Sequence, residues 1–156
     1  MTIFVEENVE FSFPSGMKVR KFDDSSHGLS YCMQAVDFIV EFDNGFFFIE
    51  VKEPRDLKMD NLVNSLKYKY RDSFLYEWAS YRANNIYYLV LIPTETLTEA
   101  QLLQAKDSLK KNLPLLKVPS ATGWKRNIVE GVQVFNISTW NKYKLKGITV
   151  KRVKQT

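Results

Sequence analysis

A single cysteine, a single histidine and no apolar run long enough to span a bilayer set the first limits on this 156-residue chain. Cys32 alone cannot support an internal disulfide framework, and one thiol suits a reducing compartment. Without a membrane-length apolar segment, and with Met1-Thr2-Ile3-Phe4-Val5-Glu6-Glu7 unlike a signal peptide, the expected location is cytoplasmic, with no membrane contact. There is no internal repeat, low-complexity tract or internal linker, so residues 1–156 read as one domain, large enough to bury a core without staples. His27 falls in the polar loop Asp23–Gly28, where a surface role is the simpler reading than a proton shuttle or phosphate contact.

What is present is aromatic and electrically lopsided. Eleven Phe, eight Tyr and three Trp accompany an ordinary 45% apolar and 26% charged composition. Most of these rings belong in a core, and some suit a partner or nucleic-acid surface. The net charge of +4 conceals an asymmetry: residues 1–60 carry twelve acids against six Lys and Arg, residues 61–156 six acids against sixteen. An acidic cluster within a basic protein suits cation binding beside a polyanion, although a lysine-rich solvated surface gives the same count.

Residues 36–53 organise the rest. Hydrophobicity alternates on both sides of Asp43-Asn44-Gly45, and Asn-Gly between alternating runs signals a hairpin. With Asn44-Gly45 as the loop, Asp43 pairs with Phe46, Ile39 with Glu50 and Asp37 with Lys52. One face then collects Phe38, Val40, Phe42, Phe47, Ile49 and Val51. The other carries Asp37, Ile39, Glu41, Phe48, Glu50 and Lys52, with Asp37 diagonal to Glu50. A one-residue slip would bury Asp37 among phenylalanines at a cost of several kcal/mol, which favours the two-residue loop.

Asp37, twelve intervening residues and then Glu50-Val51-Lys52 resemble the Asp…Glu-x-Lys signature of the PD-(D/E)XK nuclease superfamily. The resemblance implies a restriction-endonuclease-like α/β fold (α+β), a central mixed β-sheet flanked by two main helices. It also implies a Mg²⁺-dependent phosphodiesterase, with Mn²⁺ as a substitute. Asp37, Glu50 and the Val51 carbonyl would hold the metal, and Lys52 would complete the catalytic set of Asp37, Glu50 and Lys52. Hard carboxylate oxygens suit Mg²⁺, which keeps several waters and takes phosphate oxygens as further ligands. Relatives often begin with a helix bearing another glutamate. This chain has no such helix, and Glu6, Glu7 and Glu10 all stay open as that carboxylate.

The remaining elements follow in order. Residues 3–13 alternate loosely to Pro14-Ser15-Gly16, and Met17–Phe22 reads as a strand that could close a first hairpin with them. After Pro54, Asp60 is placed to cap a helix from Asn61 to about Arg82, with Leu62, Val63, Leu66, Tyr70, Phe74 and Trp78 at helical spacing. Lys67 and Lys69 flank that stripe and are candidates for phosphate contact, against the plainer reading of a solvated flank. Ile86–Ile92 is a buried central strand. Thr98 or Thr96 caps a second helix that ends at Leu113-Pro114. Lys125 and Arg126 beside Trp124 form a basic-aromatic loop suited to nucleic acid, or simply a loop. Val132–Ile137 is a further strand, and Ile148-Thr149-Val150 an edge strand in a cationic tail.

The expected activity is metal-dependent cleavage of DNA, as in the effector of a microbial defence or restriction system. With no separate DNA-reading domain, target choice would fall to a homodimer mate or to other subunits of a larger complex. A catalytically inactive nuclease-fold subunit that binds nucleic acid or scaffolds a complex is the alternative. An unrelated interaction module is the third reading.

Overall fold

Alternation around residues 43–45 produces the central hairpin of the computed structural model, which describes residues 1–22, 32–54, 58–80, 85–95, 97–113 and 127–153. β4 (Phe38–Phe42) and β5 (Gly45–Val51) pair antiparallel, with Phe42 opposite Gly45 and Phe38 opposite Ile49. The loop is therefore Asp43-Asn44, not Asn44-Gly45, and every pair is displaced by two positions from the expected register. A displacement of two leaves each side chain on its own face. The apolar face survives, but continuing the ladder brings Asp37 level with Glu50 instead of Lys52. Gly45 is required by the next strand: a Cβ there would lie 2.4 Å from the Asn85 carbonyl oxygen. That same oxygen accepts the Phe46 N–H at 3.1 Å, so the backbones meet where only glycine fits.

The hairpin sits inside a five-stranded mixed sheet of order β3-β4-β5-β6-β7, where β3 is Lys18–Lys21, β6 Ile86–Leu91 and β7 Gly131–Phe135. β5, β6 and β7 run parallel, and each parallel step needs a crossover. These are α1 (Met59–Ala79) and α2 (Glu99–Asn112). Both steps move the same way across the sheet, so right-handed connections lay both helices on one face. Leu62, Leu66 and Tyr70 of α1 and Leu102 and Leu109 of α2 pack there against Ile39, Phe48, Tyr88 and Val90. The class is thus mixed α/β of α+β type, with a central mixed sheet flanked by two main helices.

The other face is closed by a second sheet of order β1-β2-β8, from Thr2–Glu6, Val9–Phe13 and Thr149–Arg152. Residues 3–13 are thus two strands, and Met17–Phe22 contributes β3 to the other sheet instead of closing a hairpin with them. The break is at Glu7 and Asn8, with φ of 49° and 61°, the left-handed pair a tight hairpin turn demands. Glutamate seldom adopts that conformation, so the sequence hides the turn. Phe11, Phe13, Ile148 and Val150 pack on Phe38, Ile49 and Leu91, together with α3 (Ile137–Tyr143).

α3 replaces the end of the strand expected over Val132–Ile137. Asn136 and Thr139 form a reciprocal capping box, and Trp140 is fully buried, edge-on to Phe11 and Phe135. α2 starts on Thr98 with the expected box to Gln101. α1 starts differently: Lys58 is its N-cap without a side-chain bond, and Asp60 lies in the first turn. There its charge faces the positive end of the helix dipole.

Candidate metal centre and cleft

Asp37 precedes β4 and Glu50 is the penultimate residue of β5, and both are nearly inaccessible, at 2% and 0%. The Val51 N–H donates to Asp37 Oδ2 at 2.7 Å, and the Phe22 N–H donates to the Asp37 carbonyl at 2.9 Å. From α1, the Lys69 ammonium reaches Glu50 Oε1 at 3.1 Å. The same helix fixes the approach to Asp37, since the Gln34 N–H donates to Asp72 Oδ2 at 2.9 Å and the Val36 N–H to Ser73 Oγ at 3.0 Å. Asp72 and Ser73 are thus positioning residues that leave no signal in the sequence, because their partners are backbone groups more than thirty residues away.

Two carboxylates brought together out of water resist ionisation. Burial pushes Asp37 up to about 6, while hydrogen bonds from Glu50 and from Val51 pull the other way and the charge of Glu6 adds to the rise. Glu50 is raised well above the ordinary range by burial and then by the charge of Asp37, against the pull of Lys69. The two titrate as one unit. Among the described residues Glu50 Oε2 is buried with no donor besides its contact with the Asp37 carboxyl. The pair's field extends to the Tyr88 hydroxyl, which is raised by burial first and then by Glu50 and Asp37; it donates to the Leu66 carbonyl at 2.9 Å.

Beyond the end of β5, a cleft of about 610 Å³ is lined by Glu7, Lys52, Glu53, Pro54, Asn61, Leu62 and Ser65. Lys52 is half-buried in its wall, its N–H bonded to the Leu91 carbonyl at 2.9 Å. Among the described residues no carboxylate pairs with its ammonium; Lys69 supplies the cation that touches Glu50. The three N-terminal acids separate. Glu6 acts on Asp37 and pairs with Lys21 at 3.3 Å, Glu7 lines the cleft, and Glu10 pairs with Lys151 at 3.0 Å. Lys67 is half-buried and lies over the Tyr68 ring, 4.8 Å from its centroid. Lys125, Arg126 and His27 lie outside the described residues.

Hard oxygen donors fit a magnesium-class cation here: the two carboxylates, plus the Val51 carbonyl. The Val51 N–H already donates to Asp37, which sets the main chain of that residue beside the pair. Among the described residues Glu50 Oε2 has only the Asp37 carboxyl as a partner, and a cation between the two carboxylates would take the place of the proton they need. Among the described residues no cluster of three or more Asp, Glu, His or Cys side chains forms a ready-made ligand cage. Two carboxylates match a cation that retains water. Among the described residues, no helix is long and apolar enough to cross a membrane. No protein-family model matches this chain, and neither a curated protein nor a solved structure matches it significantly.

Proposed function

We propose that this chain is a metal-dependent nuclease of the PD-(D/E)XK kind, hydrolysing phosphodiester bonds in DNA with Mg²⁺ or Mn²⁺ held by Asp37, Glu50 and the Val51 carbonyl. The supporting observation is the buried Asp37–Glu50 pair, each carboxyl opposing the ionisation of the other, with Lys52 two residues beyond Glu50 lining a cleft and, among the described residues, held by no carboxylate. A bound cation would neutralise that pair, polarise the phosphate and lower the pKa of a water. The protein's own groups do the rest. The Val51 N–H keeps Asp37 ionisable and oriented. Lys69 balances Glu50 while the site is empty of other cations, and Lys52 meets the polyanion in the cleft, where it can stabilise charge developing on the phosphate. The order hairpin, α1, β6 supports the same family reading. A cytoplasmic role in microbial defence belongs to this proposal too.

Purified protein incubated with plasmid DNA and Mg²⁺ or Mn²⁺ tests it. Cleavage by the wild type, lost in both Asp37→Ala and Lys52→Ala, is the expected result. DNA binding without cleavage in either metal would instead favour a non-catalytic nuclease-fold subunit, a reading supported by Lys69 already occupying Glu50 Oε1. Neither binding nor cleavage would sink both.

A further inference from the structure

We infer that the outer edge of β7, with the adjoining face of α2, is an isologous dimer interface whose occupant is a second copy of this chain. Among the described residues β7 is the last strand of its sheet, and nothing pairs with its outer side. The Phe135 carbonyl accepts from the Ile92 N–H at 2.8 Å, so the odd-numbered residues of β7 turn their main chain toward β6. Val132 and Val134 therefore present N–H and C=O outward. Reversed about Gln133, a second β7 sets Val132 against Val134 of its mate twice over, two hydrogen-bonded pairs that join the sheets without a gap.

A groove of about 460 Å³ lies along this edge, with Leu103 and Lys106 of α2 on one wall and Thr139 and Tyr143 of α3 on the other. Leu103 is 55% exposed and Tyr143 63%, large apolar groups left in water beside an open strand. The charges select the occupant. Glu99, Leu103 and Lys106 recur at four and three residues along α2, one stripe of the helix, and all three line the groove. Glu99 and Lys106 are about 10 Å apart along the helix axis, too far to pair within one chain. Turning a second α2 end over end puts Glu99 against the mate's Lys106 at two symmetric places, with Leu103 against Leu103 between them. Leu103 and Gln133 share the groove, so one two-fold axis satisfies both the strand and the helix. A strand from an unrelated protein would have no reason to meet a plus and a minus at that spacing.

The test is oligomeric mass by sedimentation and light scattering from low micromolar to submillimolar protein, with circular dichroism to check folding. The wild type is expected at twice its 18.3 kDa chain mass. Glu99→Lys and Lys106→Glu are each expected to weaken dimerisation about tenfold or more, by setting like charges together at two places. The double variant, Glu99→Lys with Lys106→Glu, is expected to return within about threefold of the wild type, because the exchanged charges meet again across the axis. Leu103→Asp is expected to give monomer. A wild type that stays monomeric throughout, a dimer indifferent to the single reversals, or a double variant no better than the singles would each overturn the inference. None of these outcomes depends on whether the chain cuts DNA.

Discussion

Replacing Asp37 by asparagine is expected to make the metal-free protein more stable at about pH 8 while abolishing its response to divalent cations. The carboxyl rises from 3.8 unfolded to about 6 folded. A raised carboxyl pKa means that the folded state holds its proton more tightly than the unfolded state does. The associated stability is complete below about pH 3.8 and is lost as pH climbs through about 6. A shift near two units corresponds to roughly 3 kcal/mol at most. Asparagine keeps an acceptor for the Val51 N–H and removes the charge that faces Glu50 and Glu6. At roughly 2–4 °C per kcal/mol for a domain of this size, the Tm gain in chelator at about pH 8 should be about 5–10 °C, shrinking toward zero near pH 4. Thermal melts of both proteins between those limits, with EDTA and with excess Mg²⁺, read it directly. The wild type should gain Tm with Mg²⁺ and the variant should not. A variant less stable than the wild type at about pH 8, or a gap that ignores pH, would refute the idea that charge crowding strains this pair.

Lys69→Met strips Glu50 of its cation; with Lys69 partly exposed, about 1–2 kcal/mol should be lost above neutral pH in chelator, and less in acid where Glu50 is protonated, as measured by urea titration. Gly45→Ala forces a methyl onto the Asn85 carbonyl and should cost about 2–3 kcal/mol in the same assay, with faster hydrogen exchange at Phe46. Trp140→Ala should cost about 3–5 kcal/mol by opening a cavity between the small sheet and α3, and it should broaden resonances of Phe11 and Phe135.

Much of the chain's architecture could be read from pattern because burial enforces pattern. Alternation marked both strands of the hairpin, the unbroken run at Ile86–Ile92 marked a strand covered on both faces, and the Thr98 and Gln101 side chains marked the start of α2. Register was less secure. Asn-Gly is the usual two-residue loop, but Gly45 was claimed by the backbone of Asn85, a contact forty residues away in sequence that no local rule contains. Parity protected the candidate site from that error, since a slip of two changes neighbours without changing faces. α3 was missed because seven residues are too few to show a period, although Asn136 and Thr139 carried the cap signal. The hold of Asp72 and Ser73 on residues 34–36, and the choice of Lys69 over Lys52 as partner of Glu50, depend on how α1 docks and leave no trace in spacing.

The small sheet has a consequence for synthesis. Its middle strand pairs on one side with β8, Val9 opposite Arg152, so the two partners are made far apart in time. Until β8 emerges, the phenylalanines of the hairpin and of β2 lack the cover of Val150, so the nascent chain must carry an aromatic, strand-forming surface from the synthesis of β2 to that of β8. Chaperone capture should therefore last until β8 clears the exit tunnel, and a ribosome stalled between β2 and β8 should display a sticky, protease-sensitive intermediate.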